Sequence, residues 1–156
     1  MKKITVEEVK QLADEAASVP CLRKILNYHT DYSDTLQSML NAMQPGSYVQ
    51  PHRHKDPDKP EAFVILSGKI AVLEFDDFGH IPDQVILQPQ EREFGKEIAA
   101  GVWKKLVVID PDSVIFEVKD VPYSPGDDKN FAPWAPPEGN EKCADYLNEL
   151  ISKPDL

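Results

Sequence analysis

The chain has 156 residues, 41% of them hydrophobic, with a formal net charge of −10 at pH 7. That length suits one domain with a substantial core. The negative field excludes nucleic acid and anionic membrane surfaces as general partners, while a local basic pocket remains open to an anionic small molecule.

The first element expected is a helix within about 4–20. Thr5 and Glu8 have the spacing of a capping box, and Val6, Val9, Leu12, Ala13 and Ala16 recur at helical intervals before Pro20. No apolar run approaches the roughly 20 residues of a bilayer span, and the opening "MKKITVEEVKQLADE" has charges where a signal peptide is apolar, so a cytoplasmic protein is expected. Cys21 and Cys143 lie far apart with no metal-ligand residue nearby, and both are expected as free, largely buried thiols.

Residues 34–121 carry the pattern of a barrel or sandwich. "DTLQSMLNAM" is compatible with a strand or a helical turn. "EAFVIL", "KIAVLEF", "DQVIL", "KLVVI" and "SVIFEV" are short β-branched and aromatic runs separated by turn signals. Many short strands without intervening helices point to an antiparallel all-β core. The proline-rich stretch 122–139 offers no regular period, yet its aromatic residues predict an ordered loop that either pins the chain through Phe131 and Trp134 or borders a pocket. A last helix, about 140–152, is expected from Asn140 as cap and the stripe Cys143, Tyr146, Leu147, Leu150 and Ile151, stopped by Pro154.

The stretch "PHRHKDPDKPEAF" holds two of the four histidines. In an extended strand Tyr48, Gln50, His52 and His54 share one face, with the two imidazoles about 7 Å apart. Glu61 follows a stiff turn. Two imidazoles and a carboxylate suit a divalent transition metal, whether zinc, iron, manganese, nickel or copper. An H-x-H pair also occurs simply exposed or hydrogen-bonded, but Gly46 and Gly68 complete a longer pattern, G-x5-H-x-H-x6-E-x6-G. His29 and His80 fit loop and hairpin hydrogen bonding better than catalysis, and Arg53, on the opposite face, suits a structural ion pair.

That pattern resembles the first cupin motif. With "FDDFG" and "DKNFAPWAPPEG" in the same order, the chain after its first helix is similar to the WbuC family of cupin-fold metalloproteins. The resemblance implies a single cupin barrel (a double-stranded β-helix, or jelly roll) with N-terminal and C-terminal helices, and a metal on His52, His54 and Glu61. It also implies a bacterial setting among genes for surface polysaccharides such as O-antigen, hence a sugar or sugar-nucleotide substrate. Isomerisation, epimerisation and oxygen chemistry all occur on this fold, which does not choose among them. A homodimer through edge strands is an open expectation.

The resemblance breaks at one residue. The second motif supplies a further histidine in a stretch like P-G-x-W-H, whereas "AAGVWKKL" keeps Gly101 and Trp103 but has Ala100 for proline and Lys104 for histidine. Three outcomes follow: a three-ligand metal with Lys104 contacting substrate, an ammonium replacing the metal beside Glu61 in a metal-free binder or acid–base enzyme, or Lys104 turned outside. Tyr48 and Gln50 are the other substrate-binding candidates. No G-x-S-x-G, P-loop or G-x-G-x-x-G is present.

Overall fold

The computed structural model describes residues 2–31, 33–55, 59–120 and 129–153. The expected turn residues Asp56, Pro57 and Asp58, the loop portion 122–128 and Pro154 lie outside them. Helix α1 (Val6–Ala17) begins where its cap predicts, with Thr5 Oγ1 accepting the Glu8 N–H at 3.2 Å. The Glu8 carboxylate accepts a hydrogen bond from the Tyr28 hydroxyl, tying the helix to the chain that follows. Leu12, Ala13 and Ala16 are buried against Leu40, Ala42 and Val114.

The described strands are β1 (Arg23–Asn27), β2 (Gln37–Met43), β3 (His52–Arg53), β4 (Glu61–Ser67), β5 (Ile70–Phe75), β6 (Asp83–Leu87), β7 (Gly95–Ile98), β8 (Trp103–Val108), β9 (Ser113–Lys119) and β10 (Asn130–Phe131). They form two five-stranded sheets, in the orders β1-β2-β9-β4-β7 and β10-β3-β8-β5-β6, antiparallel throughout the described pairings. Met43, Phe63, Ile65, Ile98 and Ile115 of the first sheet pack against Ile70, Val72, Leu87 and Val108 of the second. This is a cupin-type β-barrel, or jelly roll, flanked by two helices.

The ambiguous segment 34–43 resolves into strand β2. Strands β1 and β7 were not expected. The first sheet therefore begins at Arg23, ahead of residue 34. Helix α2 (Cys143–Ile151) starts later than expected: Asn140 precedes its N-cap, Lys142, and its Oδ1 accepts the Lys142 N–H at 2.9 Å instead of capping the helix itself.

In the second sheet β5 reads as a nearly continuous apolar run because both its faces are covered. In β5, Ile70 and Val72 enter the barrel core, while Ala71, Leu73 and Phe75 face Trp103, Val107 and, from α2, Leu147 and Leu150. Burying a leucine of this kind contributes about 1.5–3 kcal/mol. Trp134 lies against the same outer layer, its ring 5.0 Å from that of Phe75 and directly over Gly79, where a Cβ would come within 3.0 Å of the indole. The β4–β5 turn needs Gly68: its φ is +73°, and a Cβ there would lie 2.6 Å from Ser113 Cα.

Both cysteines are free, but Cys21 is exposed and Cys143 only half-buried. Cys21 sits in the turn before an edge strand, and Cys143 opens α2 at the surface, so neither reaches the buried setting expected of it.

Candidate functional site

The site is assembled across the two sheets. His52 in β3 is directly opposite Lys104 in β8 on one side and Phe131 in β10 on the other, and residues opposite one another in antiparallel strands share a face. Glu61 opens β4 in the facing sheet, opposite Lys119 of β9. Lys104 is only 3% exposed and Glu61 also 3%. The Lys104 ammonium makes an ion pair with Glu61 Oε1, bridging the sheets. Lys104 therefore points into the barrel, and the outward register is excluded.

The histidines differ in what they touch. His54, 1% exposed, has Nε2 3.4 Å from Glu61 Oε2. The His52 ring stands edge-on to it, centroids 5.4 Å apart. His52 Nδ1 lies 3.1 Å from the Gln50 carbonyl oxygen. A carbonyl can only accept, so Nδ1 carries the proton. Burial, reinforced by the ammonium groups of Lys104 and Lys129, drives the His52 pKa well below its ordinary value, so the ring is neutral and Nε2 keeps its lone pair.

Burial would raise the Glu61 carboxyl, but contact with His54 and the charges of Lys104 and Lys119 outweigh it and hold the pKa down at about 2. Burial in turn draws the Lys104 ammonium below its ordinary value, against the pull of Glu61. An ionised pair results, each charge compensating the desolvation of the other.

These groups face a cavity of about 80 Å³ inside the barrel, lined by His52, Glu61, Phe63, Lys104, Leu106 and Glu117 among others. A single water needs roughly 10–15 Å³ of such space, so several waters or a small polar group fit. Arg23 and Ile25 of edge strand β1 and Lys129 beside β10 also line it. The lumen thus opens between the edges of the two sheets. Near that opening Phe131 is 51% exposed, its ring 6.1 Å from that of His52.

A metal ion is what the cupin resemblance implies at this place. Among the described residues, no three His, Cys, Asp or Glu side chains group as a metal site. The cation that meets Glu61 is the Lys104 ammonium. A metal would compete with it for the same carboxylate, so this arrangement does not fit a bound metal ion.

Tyr48 and Gln50, expected on the histidine face, are turned elsewhere. The Tyr48 hydroxyl donates to the Pro136 carbonyl at 2.6 Å, and Gln50 Nε2 donates to the carbonyls of Ala132 at 2.7 Å and Ala135 at 3.2 Å. Strand alternation fails because 47–51 is not strand and β3 begins only at His52; Ser47 and Val49 are the ones that line the cavity. Tyr48 and Gln50 hold the 132–136 segment against the barrel instead. Arg53 faces outward, 3.4 Å from Asp77 Oδ1, with its guanidinium 4.1 Å from the centroid of the Trp103 ring. His80 bonds Asp76 at 2.8 Å in the β5–β6 hairpin, and His29 the Ser38 carbonyl at 3.2 Å.

Sequence reasoning missed Arg23, Glu117, Lys119 and Lys129 as lumen residues. For Glu117 and Lys119 a signal existed: with Ser113 and Ile115 they occupy one face of β9. Glu117 joins Lys119 at 3.0 Å. Arg23 and Lys129 lie at the starts of edge elements, where period-2 patterning has no length to show.

Cupin-fold structures share this architecture. KdgF from Halomonas sp. superposes with a TM-score of 0.52 at 14% identity, covering 69% of this chain and 85% of that one. L-ribose isomerase from Cellulomonas parahominis gives 0.54 at 15% identity, over 75% and 72%. Oxalate decarboxylase from Lactobacillus farciminis gives 0.52 at 17%, over 70% of this chain but only 31% of that one. At such identities the likeness speaks for the fold alone. No curated protein matches the chain. One family model matches residues 4–87, more than half of the sequence, from α1 through β6 and including His52, His54 and Glu61, and the chain therefore belongs to the family described as a domain of unknown function, DUF6016.

Proposed function

We propose that this protein is a cupin acting on a carbohydrate by proton transfer, with the Lys104 ammonium standing where related folds would place a metal ion. The observation that carries the reading is the buried Lys104–Glu61 pair beside a neutral His52 in one cavity. His52 Nε2 is a base fixed in its tautomer by Gln50. At a carbon next to a carbonyl, it would take the proton while the carbonyl oxygen gathers negative charge near the ammonium. Return of the proton to the former carbonyl carbon, with the adjacent hydroxyl passing its own proton to the enolate oxygen, gives the aldose–ketose isomer; protonation of the original carbon from the opposite face, by water on that side, gives an epimer.

The carbohydrate part rests on three supports. A sugar isomerase is among the proteins that share the fold. Phe131 offers an exposed aromatic face beside His52, suited to the apolar face of a sugar ring. The resemblance to the WbuC family adds a setting in surface polysaccharide synthesis, with a sugar or sugar-nucleotide in the cytoplasm as substrate.

The test is metal content, by elemental mass spectrometry, of untagged wild type and Lys104→His after incubation with divalent metals, together with sugar turnover. An empty wild type beside a filled Lys104→His variant is expected, with metal-independent turnover abolished by His52→Ala. Near-stoichiometric metal in the wild type would overturn the reading and assign His52, His54 and Glu61 as ligands of a three-ligand centre. Sugar binding without turnover would make the protein a binding module.

A further inference from the structure

One residue in the wall of the lumen has a chemistry that its place does not call for. Across the first sheet a row of directly opposed residues reads Ile25, Asn41, Ile115, Ile65, and along β2 the neighbours of Asn41 on the same face are Met39 and Met43. Asn41 lines the cavity with both methionines. Its Nδ2 donates to Glu117 Oε2 at 3.4 Å. A carboxylate can only accept, so that contact orients the amide and turns Oδ1 away from Glu117. Oδ1 is buried and, among the described residues, has no hydrogen-bond partner. A buried acceptor without a donor is costly, and a leucine would fill the row without that cost.

The cations of the interior do not meet this need. Lys104 is held by Glu61, Lys119 by Glu117 at 3.0 Å, and the Lys105 amine is turned out of the lumen to the Val49 carbonyl at 2.7 Å. Each of the two carboxylates inside thus has an ammonium beside it, and an ion entering between them would have to break a buried pair. What the interior offers an incoming group is acceptors: Asn41 Oδ1 on the first sheet and the His52 Nε2 lone pair on the second. The group that answers a neutral acceptor is a hydroxyl.

We infer that Asn41 is a specificity-determining residue of this lumen: the end of the ligand that enters is uncharged and bears a hydroxyl, which donates to Asn41 Oδ1 while the carbonyl of the same molecule lies toward Lys104 and His52. The inference deepens the carbohydrate reading above and rests on it for the sugar, whereas the need for a hydroxyl stands on the amide alone. The terminal torsion of an asparagine is soft, so a small turn of the amide presents Oδ1 to the entering group. Glu117 fixes the polarity of the site. By holding Nδ2 it leaves the amide to act as an acceptor, and a ligand oxygen without a proton is refused there.

Isothermal titration calorimetry on the full chain, with melting temperatures measured alongside, tests this with glucose, ribose and glycerol as probes. One of the sugars is expected to bind, and Asn41→Leu to weaken it about tenfold. The variant is expected to melt at or above the wild-type temperature, because an unmatched amide has been exchanged for an apolar side chain. Among the monodeoxy analogues of the sugar that binds, one is expected to bind wild type about tenfold more weakly, and Asn41→Leu to cost that analogue nothing further. The deoxy series needs no variant and decides even if Asn41→Leu does not fold: equal binding of every analogue to wild type would overturn the role of Asn41. Unchanged sugar affinity in Asn41→Leu, with a lowered melting temperature, would make Asn41 a structural partner of Glu117 and overturn the inference while leaving the carbohydrate reading standing. Glycerol binding that depends on Asn41, with no sugar bound, would uphold the hydroxyl acceptor and overturn the carbohydrate reading. Absence of binding by all three probes at millimolar concentration would overturn both.

Discussion

Lys104 and Lys105 are neighbours in the chain and in one strand, buried to 3% and 2% exposure, yet they live in different electrostatic worlds. Lys104 points into the lumen and meets a full negative charge on Glu61. Lys105 points into the layer between the barrel and the C-terminal segment, where its amine finds a carbonyl oxygen and, at 3.9 Å, the centroid of the Tyr48 ring. Partial charges support an ammonium less well than a carboxylate does, and burial takes the Lys105 pKa down to about 7. Strand alternation alone thus converts two identical residues into a committed cation inside and an amine easily neutralised outside.

The comparison breaks most readily at Glu61. Glu61→Gln leaves the Lys104 ammonium buried without its carboxylate and is expected to cost about 3–5 kcal/mol in urea unfolding. Adding Lys104→Met should recover most of that loss, since removing both charges removes the desolvation problem with the pairing. A cost below about 1 kcal/mol for Glu61→Gln would mean the pair is not holding the sheets.

Lys105 sharpens the contrast through pH. Its folded pKa lies below the unfolded value, so between about pH 7 and 10.5 the unfolded chain binds the extra proton, and folding stability from this residue rises with pH across that window. Wild type should therefore gain on Lys105→Met from pH 7 to 10 by on the order of 3 kcal/mol, read from paired denaturation curves. A flat difference would show that Lys105 keeps its proton across that range.

The smallest effect belongs to Tyr48. Tyr48→Phe keeps the ring under Lys105 and loses the bond to the Pro136 carbonyl, so about 1 kcal/mol of stability is expected to go. Ligand affinity measured by calorimetry should not change. A loss of affinity without a loss of stability would return Tyr48 to the lumen face, where strand periodicity first put it.

The legible parts of the molecule were those with enough length to show a period. Helix α1 announced itself through Thr5 and its apolar stripe, and β4, β5, β6, β8 and β9 through runs closed by turn residues. Strands β1 and β7 escaped because "RKILN" and "GKEI" are short, polar and placed at sheet edges, where only one side needs a partner. The first motif led to His52, His54 and Glu61, and the departure from the second led to Lys104. Patterning left three places open for that lysine, the pairing with Glu61 among them, and could not choose, because Glu61 and Lys104 meet only when one sheet closes over the other. The same holds for Arg23 and Lys129, brought to one opening from distant parts of the chain.

The central place of β9 in the first sheet has a kinetic side. It pairs with β2 on one edge and β4 on the other, bringing Met43 to Ser113 and Glu61 to Lys119, while β5 and β6 form a local hairpin in the second sheet. Closing long loops costs entropy before any contact rewards it. The hairpin can therefore form early, but the first sheet cannot be completed until almost the whole barrel sequence is present, and Glu61 has to wait for β9 before its neighbours are in place. The chemistry at the centre of the barrel thus waits on a strand that arrives late in the chain.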